Sequence, residues 1–139
     1  MMTDEPEASM TTTETASPFA ALADERHILL RTRRRDGTPV STPVHLVVDG
    51  TRILFRTFDP SGKLKRIRTD PDVDIAPCTL RGRVTGPTVP ATARILHGKE
   101  STRAAAALAT KYPLLHGRLI PWYHRRKGLV TTQLELTSR

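Results

Sequence analysis

A cluster of basic and hydroxyl residues between positions 56 and 68 has the composition of a phosphate-binding site. Arg56 and Thr57 end an apolar, strand-like run, and Ser61 precedes a short helical segment that opens with Lys63. Free backbone N–H groups at a helix start favour an anion, and arginine binds phosphate oxygens through two parallel hydrogen bonds. The side chains suited to this chemistry are Arg56, Thr57, Ser61, Lys63, Lys65 and Arg66. The segment predicts either a phosphate site or a solvated basic helix face.

The charge of the whole chain also indicates an anionic partner. Of 139 residues, 22 are Lys or Arg and 14 are Asp or Glu, which gives a net charge of +8. Residues 1–25 hold six of the acids and no base, so the rest of the chain carries a net charge of +14. Such a body attracts nucleic acid, an acidic membrane surface or a small phosphorylated ligand.

The composition argues against several other classes of protein. Cys78 is the single cysteine, which excludes an internal disulfide framework and predicts a cytoplasmic protein. No apolar run approaches the roughly 20 residues that a membrane span requires. The five histidines have no recognisable metal-ligand spacing, so we expect no metal site. Neither a P-loop nor a nucleophile elbow is present.

Periodicity and turn residues predict the elements that position these groups. Residues 1–16 are acidic, Thr-rich and poor in large apolar groups, which predicts a disordered tail before one domain over 17–139. Ser17-Pro18 is a helix-start signal, and Asp36-Gly37 and Asp49-Gly50 predict hairpin turns. The predicted strands are 27–33, 40–48, 53–57, 73–78, 88–96 and 129–136, and the predicted helices are 61–68 and 98–111. Residues 112–128 fit no single element.

This order of elements predicts a mainly β (α+β) fold, a six-stranded antiparallel barrel with short flanking helices. Pro39 and Pro43 place parts of the second strand at a sheet edge or a bulge. About 120 residues with few aromatic side chains form a small core, so we expect a homodimer.

Seven short motifs follow one another in an order that resembles a known family. They are RDGTPV at 35–40, TPV at 42–44, LFRT at 54–57, GKLKRIRTDP at 62–71, APC at 76–78, RGRVTG at 81–86 and TARIL at 92–96. This set, which covers about residues 18–137, resembles the pyridoxamine-phosphate-oxidase-like split β-barrel family. Within that family the chain is similar to the branch that uses the deazaflavin coenzyme F420.

The resemblance implies an oxidoreductase that transfers a hydride between F420 and a conjugated small-molecule acceptor. It also implies a homodimer with the cofactor in a groove at the interface. The positions that match the family's cofactor site are Thr42, Pro43, Val44, Arg56, Thr57, Lys63, Lys65, Arg66, Ala76, Pro77 and Cys78. The first three would lie along the ring, and the last three would help line the site. The phosphate would lie near Arg56, Thr57, Lys63 and Arg66, with Lys65 as a further candidate on the basic helix.

Several alternatives stay open at this point. The same fold would suit an FMN-dependent oxidase or reductase, or a basic barrel that carries a cofactor or binds nucleic acid without catalysis. We favour F420 mainly because of the resemblance, and the match of a long polyanion to the charge adds to it; we then expect no nucleic-acid partner. A proton reaches the product from His45, Tyr123, His116 or water, although a lone strand histidine also fits a structural role.

The segment 118–127 mixes bases with Trp122 and Tyr123. This pattern occurs where proteins stack nucleic-acid bases or sit on a membrane surface. We favour a third interpretation, in which the segment packs on the partner subunit and closes the cofactor groove.

Overall fold

The computed structural model describes residues 18–59, 61–113, 115–128 and 130–139, without the side chains at 116 and 117. The predicted tail over 1–16 and the predicted cap Ser17 lie outside these residues. The strands are β1 (His27–Arg33), β2 (Pro39–His45), β3 (Val47–Asp49), β4 (Arg52–Asp59), β5 (Asp72–Pro77), β6 (Val89–Ile95) and β7 (Val130–Ser138). The helices are α1 (Gly62–Thr69), α2 (Gly98–Lys111) and α3 (Ile120–Lys127), with a 3-10 turn at Ala20–Leu22 and a π-helical turn at Leu115–Leu119.

The described strands form one antiparallel sheet in the order β2-β1-β5-β6-β7-β4-β3. The sheet curls until β2, at one edge, packs beside β4 near the other edge without pairing with it. The predicted split β-barrel is therefore confirmed, and the seam between β2 and β4 is where it stays open. Pro39 and Pro43 both lie in the edge strand β2, where the missing N–H group of proline is tolerated.

The predicted number of strands, six, was wrong for the described residues, which contain seven. The predicted strand 40–48 divides at Leu46 into β2 and β3. Leu46 is fully buried, and its carbonyl accepts a hydrogen bond of 2.7 Å from the Tyr112 hydroxyl. This contact lets the chain leave β1 and pair with β4 instead.

The alternation of side chains in β1 shows how the barrel is filled. Ile28, Leu30 and Thr32 are buried, and the residues between them face the other side of the sheet. Further large core side chains are Phe19, Ile53, Phe55, Leu64, Ile67, Ile75, Leu134 and Leu136. Burying each such side chain contributes about 1.5–3 kcal/mol. A smaller cluster of Leu54, Leu96 and Ala104 holds α2 against the outer face of the sheet.

Helix α1 begins and packs as the sequence predicts. The Ser61 hydroxyl accepts a hydrogen bond of 3.2 Å from the Leu64 amide, which caps the first turn. Leu64 and Ile67 face the core, so the basic residues between them stay at the surface of the barrel. No helix in the described part of the chain combines the length and apolar character needed to cross a membrane.

Candidate functional site

A cleft of about 300 Å³ opens at the seam between β2 and β4. The ends of β1 and β2 form one wall, β4 and the first turn of α1 form the other, and α3 lies across it. The lining residues are His27, Pro43, Val44, His45, Arg56, Thr57, Phe58, Lys63, Leu80, Ile120 and His124. The volume is at the lower end of the range for small-molecule sites, which is roughly 300–1,000 Å³.

The predicted phosphate residues Arg56, Thr57 and Lys63 meet in this cleft. The Ser61 cap fixes the start of α1, and Lys63 in its first turn reaches back so that Nζ donates to Thr57 Oγ1 at 3.4 Å. The same Nζ lies 5.8 Å from the centre of the Phe58 ring. The phosphate residues are therefore positioned by a strand end and a capped helix start that lie next to each other in the chain.

The electrostatics of the cleft favour an anion. Arg56 and Lys63 are half-buried. Burial lowers the pKa of both groups, and the charge of Arg66 lowers that of Lys63 further. None of the residues that line the cleft in the described structure is a carboxylate. Because cations with little water around them are stabilised by an opposite charge, the cleft suits a phosphate or a carboxylate.

Two histidines lie together at the β2 side of the cleft. The ring centres of His27 and His45 are 4.6 Å apart, and the ring of Tyr112 lies 5.0 Å from that of His45. Burial, with smaller contributions from His27, Arg26 and Lys111, lowers the pKa of His45 to about 4. Burial also lowers the pKa of His27, whose buried Nε2 has no hydrogen-bond partner within the described residues. At neutral pH both rings are uncharged groups that can hold or accept one proton.

His124 on α3 forms the opposite side of the cleft. Its Nδ1 lies 2.6 Å from Thr131 Oγ1, and its ring stands 5.6 Å from that of Phe58. Burial and the nearby charge of Arg56 lower its pKa. No local pattern predicts His27 or His124 individually as a site residue, because long-range packing brings them there. For α3, the basic and aromatic composition of segment 118–127 was the feature of the sequence that pointed to the site.

The structure separates other predicted site residues from the cleft. Lys65 and Arg66 line a different cavity on another side of α1. Lys65 lies about 200° around the helix from Lys63, whereas Arg66 lies one turn after Lys63 and is directed to the other cavity by the hydrogen bond of 2.6 Å from its Nε to Thr32 Oγ1. Thr42 pairs with buried Leu30 on the core face of β2 and does not line the cleft.

The end of β5 lies one strand away from the cleft. Ala76, Pro77 and Cys78 are buried, and the Cys78 amide donates to the His27 carbonyl at 3.3 Å. None of the three lines the cleft. Burial raises the pKa of the Cys78 thiol, which keeps it protonated. This strand end therefore holds the backbone of His27 in place through a hydrogen bond.

The remaining candidate proton donors differ in position. Only His45 among them lines the cleft as described, since Tyr123 is 49% exposed on α3 and its ring lies 6.0 Å from Lys127 Nζ. The side chain of His116 lies outside the described residues. Within the described part of the chain, no group of three or more His, Cys, Asp or Glu side chains is arranged to hold a metal ion.

Comparisons with known proteins identify the fold. No family model and no curated protein matches this sequence. Several solved structures do match, among them HutZ, the haem storage protein of Vibrio cholerae, with a TM-score of 0.67 and 13% identity over 84% of this chain and 83% of that one.

Two further structures share the fold over nearly the whole chain. A Listeria innocua protein assigned as a pyridoxamine 5′-phosphate oxidase has a TM-score of 0.61 and 10% identity, covering 96% of this chain and 94% of its own. An F420 reductase has a TM-score of 0.56 and 13% identity, covering 89% of this chain and 95% of its own. The chain therefore has the split β-barrel fold of the pyridoxamine 5′-phosphate-oxidase-like proteins.

Proposed function

We propose that this chain is an F420-dependent oxidoreductase that transfers a hydride between the deazaflavin and a conjugated small-molecule acceptor. The observation that carries the proposal is the pair of half-buried cations, Arg56 and Lys63, in a cleft lined by no carboxylate among the described residues. The likeness of the fold to that of an F420 reductase supports it.

The residues of the cleft fit such a ligand. Arg56, Thr57 and Lys63 would hold its phosphate, because they offer two cations and a hydroxyl at one end of the cleft. Pro43 and His45 would border its ring system at the other end. A bound deazaflavin supplies the carbon that carries or accepts the hydride, and the protein orients that carbon and excludes water.

His45 is our candidate for holding the proton that the acceptor needs. Its ring is neutral at pH 7 because its pKa is about 4, so it would donate its N–H proton while its other nitrogen takes up a proton from water, and the ring would stay neutral. The neighbouring rings of His27 and Tyr112 hold it in place. Phe58 and Ile120 supply apolar surface to the cleft.

We further propose that the active form is a homodimer whose partner completes the cleft. A cavity of about 300 Å³ is small for a fused-ring cofactor with a long anionic tail. Leu80 at its rim is 72% exposed, and Trp122 on α3 is 52% exposed. A second protomer would cover these side chains and enlarge the site. The free thiol of Cys78 suits the reducing cytoplasm, where we place the protein.

A second candidate is a flavin-type or haem-type cofactor carrier. Three neutral imidazoles, from His27, His45 and His124, line the cleft, and the structurally similar HutZ is a haem storage protein. FMN would need fewer positive charges than the chain provides. We regard a nucleic-acid partner as the weakest alternative because the cleft, at about 300 Å³, has the size of a small-molecule site.

Parallel titrations of the full chain distinguish these candidates. F420, FMN and haemin are added separately, and binding is followed by fluorescence quenching for the first two and by absorbance for haemin. We expect saturable F420 binding at tens of micromolar or tighter, and oxidation of reduced F420 by at least one conjugated acceptor. Tight FMN or haemin binding with no affinity for F420 would overturn the proposal, and so would tight, steeply salt-dependent DNA binding with no affinity for any of the three.

A further inference from the structure

A second basic cavity lies on another side of α1. It has a volume of about 460 Å³. Its walls are formed by Arg33, Arg34 and Arg35 at the β1–β2 hairpin and by Gly62, Lys65, Arg66 and Thr69 from α1. No residue that lines it also lines the cleft. Five of its lining residues are basic and none is acidic. The cavity is therefore a separate concave surface of positive charge.

Most of this charge has no partner within the described part of the chain. Arg33 is compensated, because its Nη2 lies 2.8 Å from Asp74 Oδ2. The four cations Arg34, Arg35, Lys65 and Arg66 form no salt bridge with any described residue. Arg68 on the same helix differs, since its Nη2 lies 3.1 Å from Asp59 Oδ2. Four uncompensated cations around one cavity attract a ligand that carries more than one negative charge.

Arg66 is held in a fixed position in this cavity. Its Nε donates a hydrogen bond of 2.6 Å to the hydroxyl of Thr32, which is 1% exposed. Its guanidinium lies directly over Gly62, where an added Cβ would stand 2.8 Å from Nη1. The Nη groups have no acceptor among the described residues, and burial together with Arg34 lowers the pKa of Arg66. A fixed guanidinium fork of this kind suits a phosphate or carboxylate group.

We propose that this cavity is a second anion site, which binds ligands that carry two or more adjacent negatively charged groups. A free diphosphate has this chemistry. The anionic tail of a cofactor held in the cleft also carries adjacent negative charges, and this second choice of ligand rests on the proposed function.

Calorimetric titration of the full chain with inorganic pyrophosphate at low ionic strength tests the site. We expect saturable binding of one pyrophosphate, weakened about tenfold or more by Arg66→Gln because a charge-assisted hydrogen bond is lost. Gly62→Ala keeps every charge but displaces the guanidinium, so it also weakens binding, while alanine suits the helix. The matched control is Arg68→Gln, which removes the same charge from the same helix and leaves affinity within about twofold.

Two results would overturn the second site. One is the absence of saturable binding, or an equal loss with Arg68→Gln, which would indicate only a diffuse charge effect. The other is a loss with Lys63→Ala as large as that with Arg66→Gln, which would place the anion in the cleft.

A repeat of the titration with F420 present distinguishes the two sources. If F420 leaves the pyrophosphate affinity unchanged, the second cavity is an independent site. If F420 competes with pyrophosphate, and still does so in the Lys63→Ala variant, the cavity binds the tail of the cofactor. Failure of F420 to bind at all would overturn the proposed function and leave the pyrophosphate result intact.

Discussion

Lys63 Nζ lies 3.4 Å from Thr57 Oγ1, and this contact joins the first turn of α1 to the end of β4. The contact places a half-buried ammonium beside Arg56 in a cleft whose described lining has no carboxylate. Burial disfavours the charged form of both groups. A bound anion offsets that effect, which is the physical basis of the proposed phosphate site.

Replacing Lys63 therefore weakens cofactor binding more than it changes stability. We expect Lys63→Ala to reduce the free energy of F420 binding by about 1–3 kcal/mol, the usual value for a lost charge-assisted hydrogen bond. Fluorescence quenching measures the affinity. Arg68→Ala is the control, because Arg68 is paired with Asp59 outside the cleft. Equal affinities for wild type and Lys63→Ala would show that the phosphate binds elsewhere.

His45 makes the stability of the protein depend on pH. Its pKa is about 4 in the folded state and 6.5 ordinarily, so the unfolded chain binds more protons between these values. The contribution of His45 to the free energy of unfolding is fully present above about pH 6.5 and is lost as the pH falls toward 4. Because the ring is only partly buried, we expect a loss of about 1–3 kcal/mol.

Urea unfolding at pH 7.5 and pH 4.5 measures this dependence. His45→Gln removes the titrating ring, so its stability should change less between the two pH values than that of wild type. The difference between the two proteins isolates His45 from His27 and His124, whose pKa values burial also lowers. Identical pH profiles would contradict the buried, neutral state of His45.

Glu135 is the centre of an ion network on the outer face of the sheet. It is 8% exposed, and it accepts hydrogen bonds from Arg52 at 2.8 Å and Arg94 at 3.1 Å. Burial alone would raise its pKa, but the two arginines outweigh burial and lower it. We expect Glu135→Ala to cost about 2–3 kcal/mol of unfolding free energy.

Glu100→Ala is the matched comparison for Glu135, since it removes an exposed partner of the same Arg94. Its expected cost is below about 1 kcal/mol. Chemical denaturation measures both variants. Equal losses of unfolding free energy in the two variants would mean that the burial of Glu135 does not strengthen its ion pairs.

The proposed homodimer makes Leu80 an interface residue. We expect Leu80→Asp to give a monomer in light scattering and to weaken F420 binding, because a buried charge opposes association. Val130→Asp is the control, since Val130 is 64% exposed but does not line the cleft. A Leu80→Asp protein that stays dimeric would exclude the cleft rim from the interface.

The elements that the sequence predicts best are those with local signals. Strand β1 and helix α2 have the predicted bounds, because alternation in the one and an alanine-rich run in the other are properties of neighbouring residues. The break at Leu46 was missed because the apolar run continues through it and the Tyr112 contact comes from a distant part of the chain. Helix α3 was missed because its one buried residue is His124, which gives no apolar periodicity.

The residues of the candidate site also divide into those that local sequence brings together and those that long-range packing brings together. Arg56, Thr57 and Lys63 are close in the chain, so a strand followed by a capped helix was enough to bring them together. His27 and His124 approach them only after the sheet has curled. The rotation of about 200° along α1 would have separated Lys65 from Lys63 in advance, whereas Arg66 is drawn away by its contact with Thr32, a residue distant in the chain.

The position of the phosphate is tested most directly by ³¹P NMR of the F420 phosphodiester, recorded while the full chain is added. The expected result is that the ³¹P resonance shifts or broadens saturably with wild type and reaches the same change only at a higher protein concentration with Lys63→Ala. Quenching of the deazaflavin fluorescence with an unperturbed ³¹P resonance in wild type would contradict it, because the cofactor would then bind without its phosphate at Arg56 and Lys63.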